Sequence, residues 1–159
     1  MNHAERREME AILIERGMRP SNVSPDLEVV HTCSVTGQAA AKSRNAIRRA
    51  SRSGKHVVVT GCFTGTDPDV ASTLGNSIVP QAGDIPMLDR FAWEVDNWLQ
   101  RPNQIEERRT TSLPIATLPT HAGDHIRAEL RIQDGCDAHC TFCIIPKIRT
   151  TLRSKTIED

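Results

Sequence analysis

The chain has 159 residues, enough for one ordinary domain and a short additional segment. Its 20 basic and 20 acidic residues cancel, so the net charge does not indicate a nucleic-acid partner. The highly charged first twenty residues lack a signal sequence, and no segment approaches the ~18 apolar residues of a membrane helix. The five cysteines, three of them within residues 136–143, are therefore predicted to be ligands in a cytoplasmic protein, not a disulfide framework.

The first hundred residues alternate predicted helices and strands. The pattern predicts helices over 2–16, 38–52, 68–75 and 86–99. Between them it predicts strands over 27–32, 56–60 and 77–79. Asn2 and Glu5 form a possible capping pair at the first helix, and Asp67 is the expected N-cap of the third. Short β-branched runs such as 57–59 are typical of buried parallel strands. The alternation therefore predicts an α/β fold with a parallel sheet between helices.

Two cysteines follow predicted strands directly. Cys33 comes after the strand over 27–32, and Cys62 comes after the strand over 56–60 and Gly61. Because parallel strands place ligands beyond their carboxyl ends, both thiols are expected at one edge of the sheet. Buried free cysteines that act only as small apolar groups are the alternative, but their matching positions favour a shared ligand role.

Beyond residue 100 the pattern changes. A polar, proline-containing linker is predicted from 101 to 123, and residues 126–132 alternate apolar and polar side chains as a strand does. A loop with three cysteines follows at once. Enzymes with an α/β barrel keep their chemistry in loops after the strands, and this loop would follow the first strand of such a barrel.

The three-cysteine loop carries the most specific pattern in the chain. Cys136, Cys140 and Cys143 are spaced so that they can bind three irons of a 4Fe–4S cluster and leave the fourth iron open. Phe142 is placed to cover the face of a bound planar group. A zinc knuckle completed by His139 or His121 is the alternative, although zinc sites more often contain two separated cysteine pairs.

Two groups of basic residues are candidates for phosphate contact. The first lies on the helix predicted over 38–52, where a solvated helix face is the commoner explanation. The second lies beside the three-cysteine loop. The two groups are Lys42, Arg44, Arg48, Arg49, Arg52 and Lys55, and Lys147, Arg149, Arg153 and Lys155.

The CxxxCxΦC loop resembles that of radical S-adenosylmethionine enzymes. Together with three further segments, it makes nearly the whole chain similar to the methylthiotransferases. The segments are His31-Thr32-Cys33-Ser34-Val35-Thr36, Lys42-Ser43-Arg44 with Ile47-Arg48-Arg49-Ala50, and Val58-Val59-Thr60-Gly61-Cys62-Phe63. The Lys-Ser-Arg and Ile-Arg-Arg-Ala runs resemble most the subgroup that modifies threonylcarbamoyladenosine beside the tRNA anticodon.

The resemblance implies two 4Fe–4S clusters, S-adenosylmethionine as cofactor and tRNA as partner. Cys136, Cys140 and Cys143 would hold the cluster that generates the radical, and Phe142 would lie beside the cofactor. Cys33 and Cys62 would contribute to a second, sulfur-carrying cluster whose third cysteine is missing here. The implied domains are a methylthiotransferase N-terminal domain over 1–100, a linker over 101–123 and the start of a radical S-adenosylmethionine barrel over 124–159.

The chain differs from the family pattern in ways that predict a fragment inactive by itself. No strand precedes the first helix, the later barrel strands are absent, and the family's Arg-Gly after the cluster loop reads Arg149-Thr150. A β-branched residue resists backbone angles that glycine adopts. A non-catalytic zinc or iron–sulfur module, or a non-functional fragment, remains as the alternative.

Overall fold

A computed structural model describes residues 3–21, 23, 25–81, 85–101, 132–138 and 140–154. The described residues form six helices and five strands. In chain order they are α1 (His3–Glu15), β1 (Leu27–Thr32), α2 (Gly37–Ser51), β2 (His56–Gly61), α3 (Cys62–Thr66), α4 (Pro68–Leu74), β3 (Ser77–Ile78), α5 (Met87–Leu99), β4 (Gln133–Asp134), α6 (Ile145–Ile148) and β5 (Arg153–Ser154).

The first three strands form a parallel sheet in the order β1-β2-β3. The β1–β2 register pairs Leu27 with His56 and Thr32 with Gly61, so both strands end at the same level. The sheet confirms the predicted α/β class with parallel strands. The described residues contain no closed barrel.

Two apolar cores lie on opposite faces of this sheet. Alternate residues of β2 point to opposite sides, as the pleat of a strand requires. Val57 and Val59 pack with Ile47 of α2 and Ala71 of α4, whereas Val58 belongs to the cluster contributed by α1 and α5. The second cluster consists of Met9, Val58, Val79, Met87, Phe91 and Val95. The result is a three-layer arrangement of helix, sheet and helix.

The described residues between 132 and 154 form two short strands and a helix. Strands β4 and β5 pair antiparallel, with Asp134 opposite Arg153. Between them, α6 contacts α3, and Ile148 is 2% exposed. A Cβ atom added to Gly65 of α3 would lie 3.1 Å from the Ile148 side chain, so the two backbones approach closely here. The cysteine loop is thus attached to a segment that packs on the first domain.

Most element predictions for the first hundred residues are confirmed within one or two residues. Two differ. Residues 62–66 form α3, which was not predicted, and the Asp67 side chain makes no capping hydrogen bond. Of the strand predicted over 126–132, only Ile132 lies among the described residues, and it precedes β4 without belonging to it. The linker beyond Arg101 also lies outside the described residues.

None of the helices among the described residues is long and apolar enough to cross a membrane.

His56 gives a pH-dependent contribution to stability. Its ring stacks on Trp98 with centroids 5.9 Å apart, and its Nε2 lies 3.0 Å from Ser77 Oγ. Burial, together with the Arg101 charge, lowers the pKa of His56 in the folded chain. Protonation therefore favours the unfolded chain, and this contribution is lost as the pH falls below about 6.5. We expect the stability difference between the parent and His56→Gln, measured by urea unfolding, to shrink between pH 7 and 5. A difference independent of pH would contradict this.

Candidate functional site

Cys33 and Cys62 lie side by side at the carboxyl end of the sheet, as predicted. They follow Thr32 and Gly61, which are register partners on neighbouring strands. The Thr32 hydroxyl donates to the carbonyl of Thr60 at 2.6 Å and accepts from the amide of Phe63 at 3.2 Å. These bonds tie the end of β1 to the start of α3. We call Cys33 and Cys62 the thiol edge.

Gly61 makes this close approach possible. Its φ of +93° lies in the region that side chains disfavour, and a Cβ atom there would collide with the backbone carbonyl of Thr32. Any other residue at position 61 would push β2 away from β1. The spacing of the two thiols therefore depends on the glycine.

Ser43 of α2 holds the loop that contains Cys33. Its hydroxyl accepts a hydrogen bond from the Cys33 amide at 3.1 Å and donates to the Cys33 carbonyl at 2.8 Å. The backbone around Cys33 is thus fixed to the basic helix, and its thiol does not take part in these bonds. This explains the Lys-Ser-Arg run as a structural as well as an electrostatic feature.

Cys62 is 8% exposed, and burial raises the pKa of its thiol. The positive charge of Arg149 opposes this shift in pKa, while Cys33 adds to it. The two thiols are therefore close enough to interact electrostatically. Arg149, from the segment after the cysteine loop, reaches the same edge.

A buried network of charges surrounds Arg149. Its Nη2 donates to Glu5 Oε2 at 2.9 Å, and its Nη1 donates to Asp134 Oδ1 at 2.5 Å. Glu5 is 0% exposed and also accepts from Gln81 Nε2 at 3.1 Å. His31 Nε2 lies 3.4 Å from the same carboxylate. Arg149, Gln81 and His31 therefore bring three distant parts of the chain to the Glu5 carboxylate.

Electrostatics explain how these groups can be buried. Burial disfavours the charge on Arg149, but the carboxylates of Glu5 and Asp134 outweigh it and raise its pKa above the ordinary value. Burial lowers the pKa of His31, and the Glu5 charge opposes that shift. The His31 side chain is only 7% exposed, and it lies beside Glu5. Arg149 was one of the candidates for phosphate contact, but its side chain is only 10% exposed and pairs with Glu5 and Asp134.

The replacement of the family's glycine by Thr150 causes no backbone strain. Among the described residues, no residue other than glycine has a positive φ. The position in this segment that requires glycine is Gly135, whose φ is +80° and where an added Cβ atom would collide with the Thr151 carbonyl oxygen.

The three-cysteine loop is open to solvent. Cys140 is exposed, Cys136 and Cys143 are half-buried, and all three are free thiols. The Cys143 amide donates to the Cys140 carbonyl at 3.1 Å, which turns the chain between them. Phe142 is 92% exposed and free to contact a bound group. His139 and His121, the alternative zinc ligands, lie outside the described residues.

The donor chemistry of the loop fits an iron–sulfur cluster, since three free thiols on one turn are the soft ligands it needs. The side chains are not gathered around one point: among the described residues, no three His, Cys, Asp or Glu side chains form a group that could hold a metal ion. The thiol edge provides two thiols among these residues, fewer than a 4Fe–4S cluster normally takes.

Sequence reasoning missed the network around Arg149. Glu5 was interpreted as a capping residue, and Asn2, its proposed partner, lies outside the described residues. A weak signal existed, since Glu5 stands on the same helix face as Met9 and Ile12, where a carboxylate needs a buried partner. Its partner is 144 positions away, and no local pattern could identify it.

Comparison with known proteins shows which class of protein the chain is similar to. Residues 1–79 match the family described as "Uncharacterized protein family UPF0004". Most or all of the chain is similar to curated methylthiotransferases at about 30% identity.

Three relatives illustrate the similarity. The threonylcarbamoyladenosine tRNA methylthiotransferase MtaB of Bacillus subtilis is 33% identical over 168 residues, covering 100% of this chain and 36% of the relative. The ribosomal protein uS12 methylthiotransferase RimO of Chromobacterium violaceum is 32% identical over 140 residues, covering 88% and 30%. The MtaB of Chlamydia pneumoniae is 30% identical over 142 residues, covering 87% and 30%. The chain thus spans about a third of the length of these relatives. No solved structure matches it.

Proposed function

We propose that this chain is part of a radical S-adenosylmethionine methylthiotransferase that adds a methylthio group to threonylcarbamoyladenosine in tRNA. The observation that supports this most is the combination of two sulfur sites in one chain that is similar to methylthiotransferases. One is the exposed three-cysteine loop, and the other is the thiol edge. A zinc knuckle alone would not require the second.

In this proposal Cys136, Cys140 and Cys143 bind a 4Fe–4S cluster with one open iron, and Phe142 covers the adenosylmethionine. When bound, the reduced cluster and its cofactor supply the one-electron chemistry that removes hydrogen from an unactivated ring carbon. The exposed loop leaves that chemistry accessible to a large substrate. Arg149 and Asp134 hold the base of the loop.

Cys33 and Cys62 are proposed to carry the sulfur to be transferred. The backbone bonds of Cys33 to Ser43 and the close strand approach at Gly61 orient both thiols. Residues 1–100 form the domain of the thiol edge, 101–123 the linker and 124–159 the start of the radical domain. We place the protein in the cytoplasm, where reduced thiols persist.

The substrate is proposed to be tRNA, not a ribosomal protein, because of the charge on α2. This helix contains no acidic residue, and within the described part of the chain none of its cations forms an ion pair. Lys42, Arg48, Arg49 and Arg52 are exposed. Arg44, which is half-buried, lies over the Phe63 ring at 5.9 Å, beside the helix that Cys62 begins. Such a face suits a phosphate backbone.

Removal of three of these charges tests the substrate. We expect the triple variant of Arg48, Arg49 and Arg52 to glutamine to bind tRNA more weakly, with a smaller dependence of log K on log salt concentration. Each lost phosphate contact reduces that slope by about 0.7–0.9. Fluorescence anisotropy of labelled tRNA over a salt series measures both quantities.

The matched control removes three cations that lie away from α2, by changing Arg7 of α1, Arg19 of the segment after α1 and Arg90 of α5 to glutamine. It alters the net charge equally and should leave the slope unchanged. Equal losses in both variants would show that tRNA binding is not localised on α2. Tight binding of ribosomal protein uS12 with no measurable tRNA binding would favour the activity named for the RimO relatives.

A further inference from the structure

We propose that Arg149 is a positioning residue that fixes the cysteine loop, residues 136–143, beside the thiol edge through Glu5 and Asp134. The inference rests on the proposed function, because that function gives the loop and the thiol edge their roles. It adds a set of contacts that fixes the distance between the cysteine loop and the thiol edge.

Asp134 and Arg149 close the base of the cysteine loop. Asp134 precedes the loop and Arg149 follows it, and their side chains are joined at 2.5 Å. Asp134 Oδ1 also accepts from the Gly135 amide at 3.0 Å, which orients the carboxylate. The β4–β5 pairing and the close backbone contact of Gly135 with Thr151 close the same base. The loop therefore leaves and returns at a point defined by Arg149.

Glu5 of α1 is the group to which Arg149 attaches the loop. Glu5 is fully buried, and its carboxylate also accepts a hydrogen bond from Gln81, which helps to fix its position. Arg149 uses one nitrogen for Glu5 and the other for Asp134, so its planar guanidinium links the domain to the loop. A single point charge could not hold both carboxylates in this geometry.

The same segment also lies beside the thiol edge. Ile148, the chain neighbour of Arg149, packs against Gly65 of α3, the helix that Cys62 begins. The positive charge of Arg149 also acts on the Cys62 thiol and opposes the rise of its pKa. The contacts that hold the loop are thus made beside the thiols themselves. When two groups must meet at one carbon, a displacement of ~1 Å can reduce the rate about 100-fold. A rigid link between the two sites has a direct use in such chemistry.

The test measures the distance between the loop and the first domain in the metal-free chain. One spin label is placed on Cys140 and one on Gln38→Cys at the start of α2, both exposed, with the other four cysteines changed to serine. Pulsed electron resonance should give one narrow distance peak. Arg149→Gln should lose this peak and give a broad distribution. Arg149→Lys should recover it in part, because an ammonium can pair with one carboxylate.

Lys147→Gln is the matched control, since it removes an exposed cation from the same segment and should leave the peak unchanged. If Arg149→Gln fails to fold, as judged by circular dichroism, Asp134→Asn cuts only the loop side and should broaden the peak in a folded chain. A narrow, unshifted peak in Asp134→Asn and in folded Arg149→Gln would overturn the proposal, as would a broad peak in the parent. Neither cluster nor tRNA is present, so this result is independent of the proposed function.

Discussion

Replacing Cys136, Cys140 and Cys143 together by alanine should abolish cluster formation in the anaerobically reconstituted chain. The parent is expected to take up about one 4Fe–4S cluster, because only this loop offers three closely spaced thiolates. Iron and sulfide analysis with electron resonance of the reduced protein measures the loss. The expected effect is complete, since two or fewer thiolates do not hold the cluster.

The matched control replaces Cys33 and Cys62 by alanine. These two thiols are neighbours on the sheet edge, and we expect their loss to change the iron content little. If this control lost as much iron as the loop variant, the cluster would not be bound by Cys136, Cys140 and Cys143 alone, and the proposal would be contradicted. Stoichiometric zinc with tetrahedral sulfur coordination and no iron uptake would favour the non-catalytic module.

Arg149→Met should lower the free energy of unfolding by about 3–5 kcal/mol, because it removes the guanidinium that pairs with the buried Glu5 carboxylate. Against a total of about 5–15 kcal/mol for a domain, this loss is large. Urea unfolding followed by circular dichroism should show a midpoint lower by about 2 M, for a slope of ~2 kcal/mol per M.

Two further variants identify the cause. Lys147→Met removes an exposed cation nearby and should change stability by less than about 0.5 kcal/mol. Combining Arg149→Met with Glu5→Gln should recover most of the loss, because no unpaired charge remains buried. A single Arg149→Met variant as stable as the parent would contradict the account of Glu5.

Local pattern was sufficient for the sheet and its helices. The Val57-Val58-Val59 run is β-branched and apolar on both faces, and the structure buries it between two helix layers. The amphipathic stripe of α5 was equally clear, since Phe91, Val95 and Trp98 are buried while Trp93 is 65% exposed. The expectation that Cys33 and Cys62 share an edge followed from the same regularity.

The exceptions arise where distant segments meet. Residues 62–66 contain threonine and glycine, which have poor helix propensity, yet Phe63 is fully buried and Ile148 covers Gly65, so tertiary packing outweighs propensity. Glu5 was given a local role at a helix end, while its partner comes from the far end of the chain. Such pairings carry no period in the sequence and emerge only from the folded chain.

The exposed arginines of and after α2 and the buried Arg149 should respond differently to ionic strength, because only the exposed ones are fully screened by salt. At ~1 M salt the screening length is about 3 Å, so exposed Arg48, Arg49 and Arg52 lose their attraction for a polyanion. The pair between Arg149 and Glu5 is shielded from solvent and is screened much less. High salt can therefore strip bound nucleic acid during purification while the cysteine loop keeps its anchor.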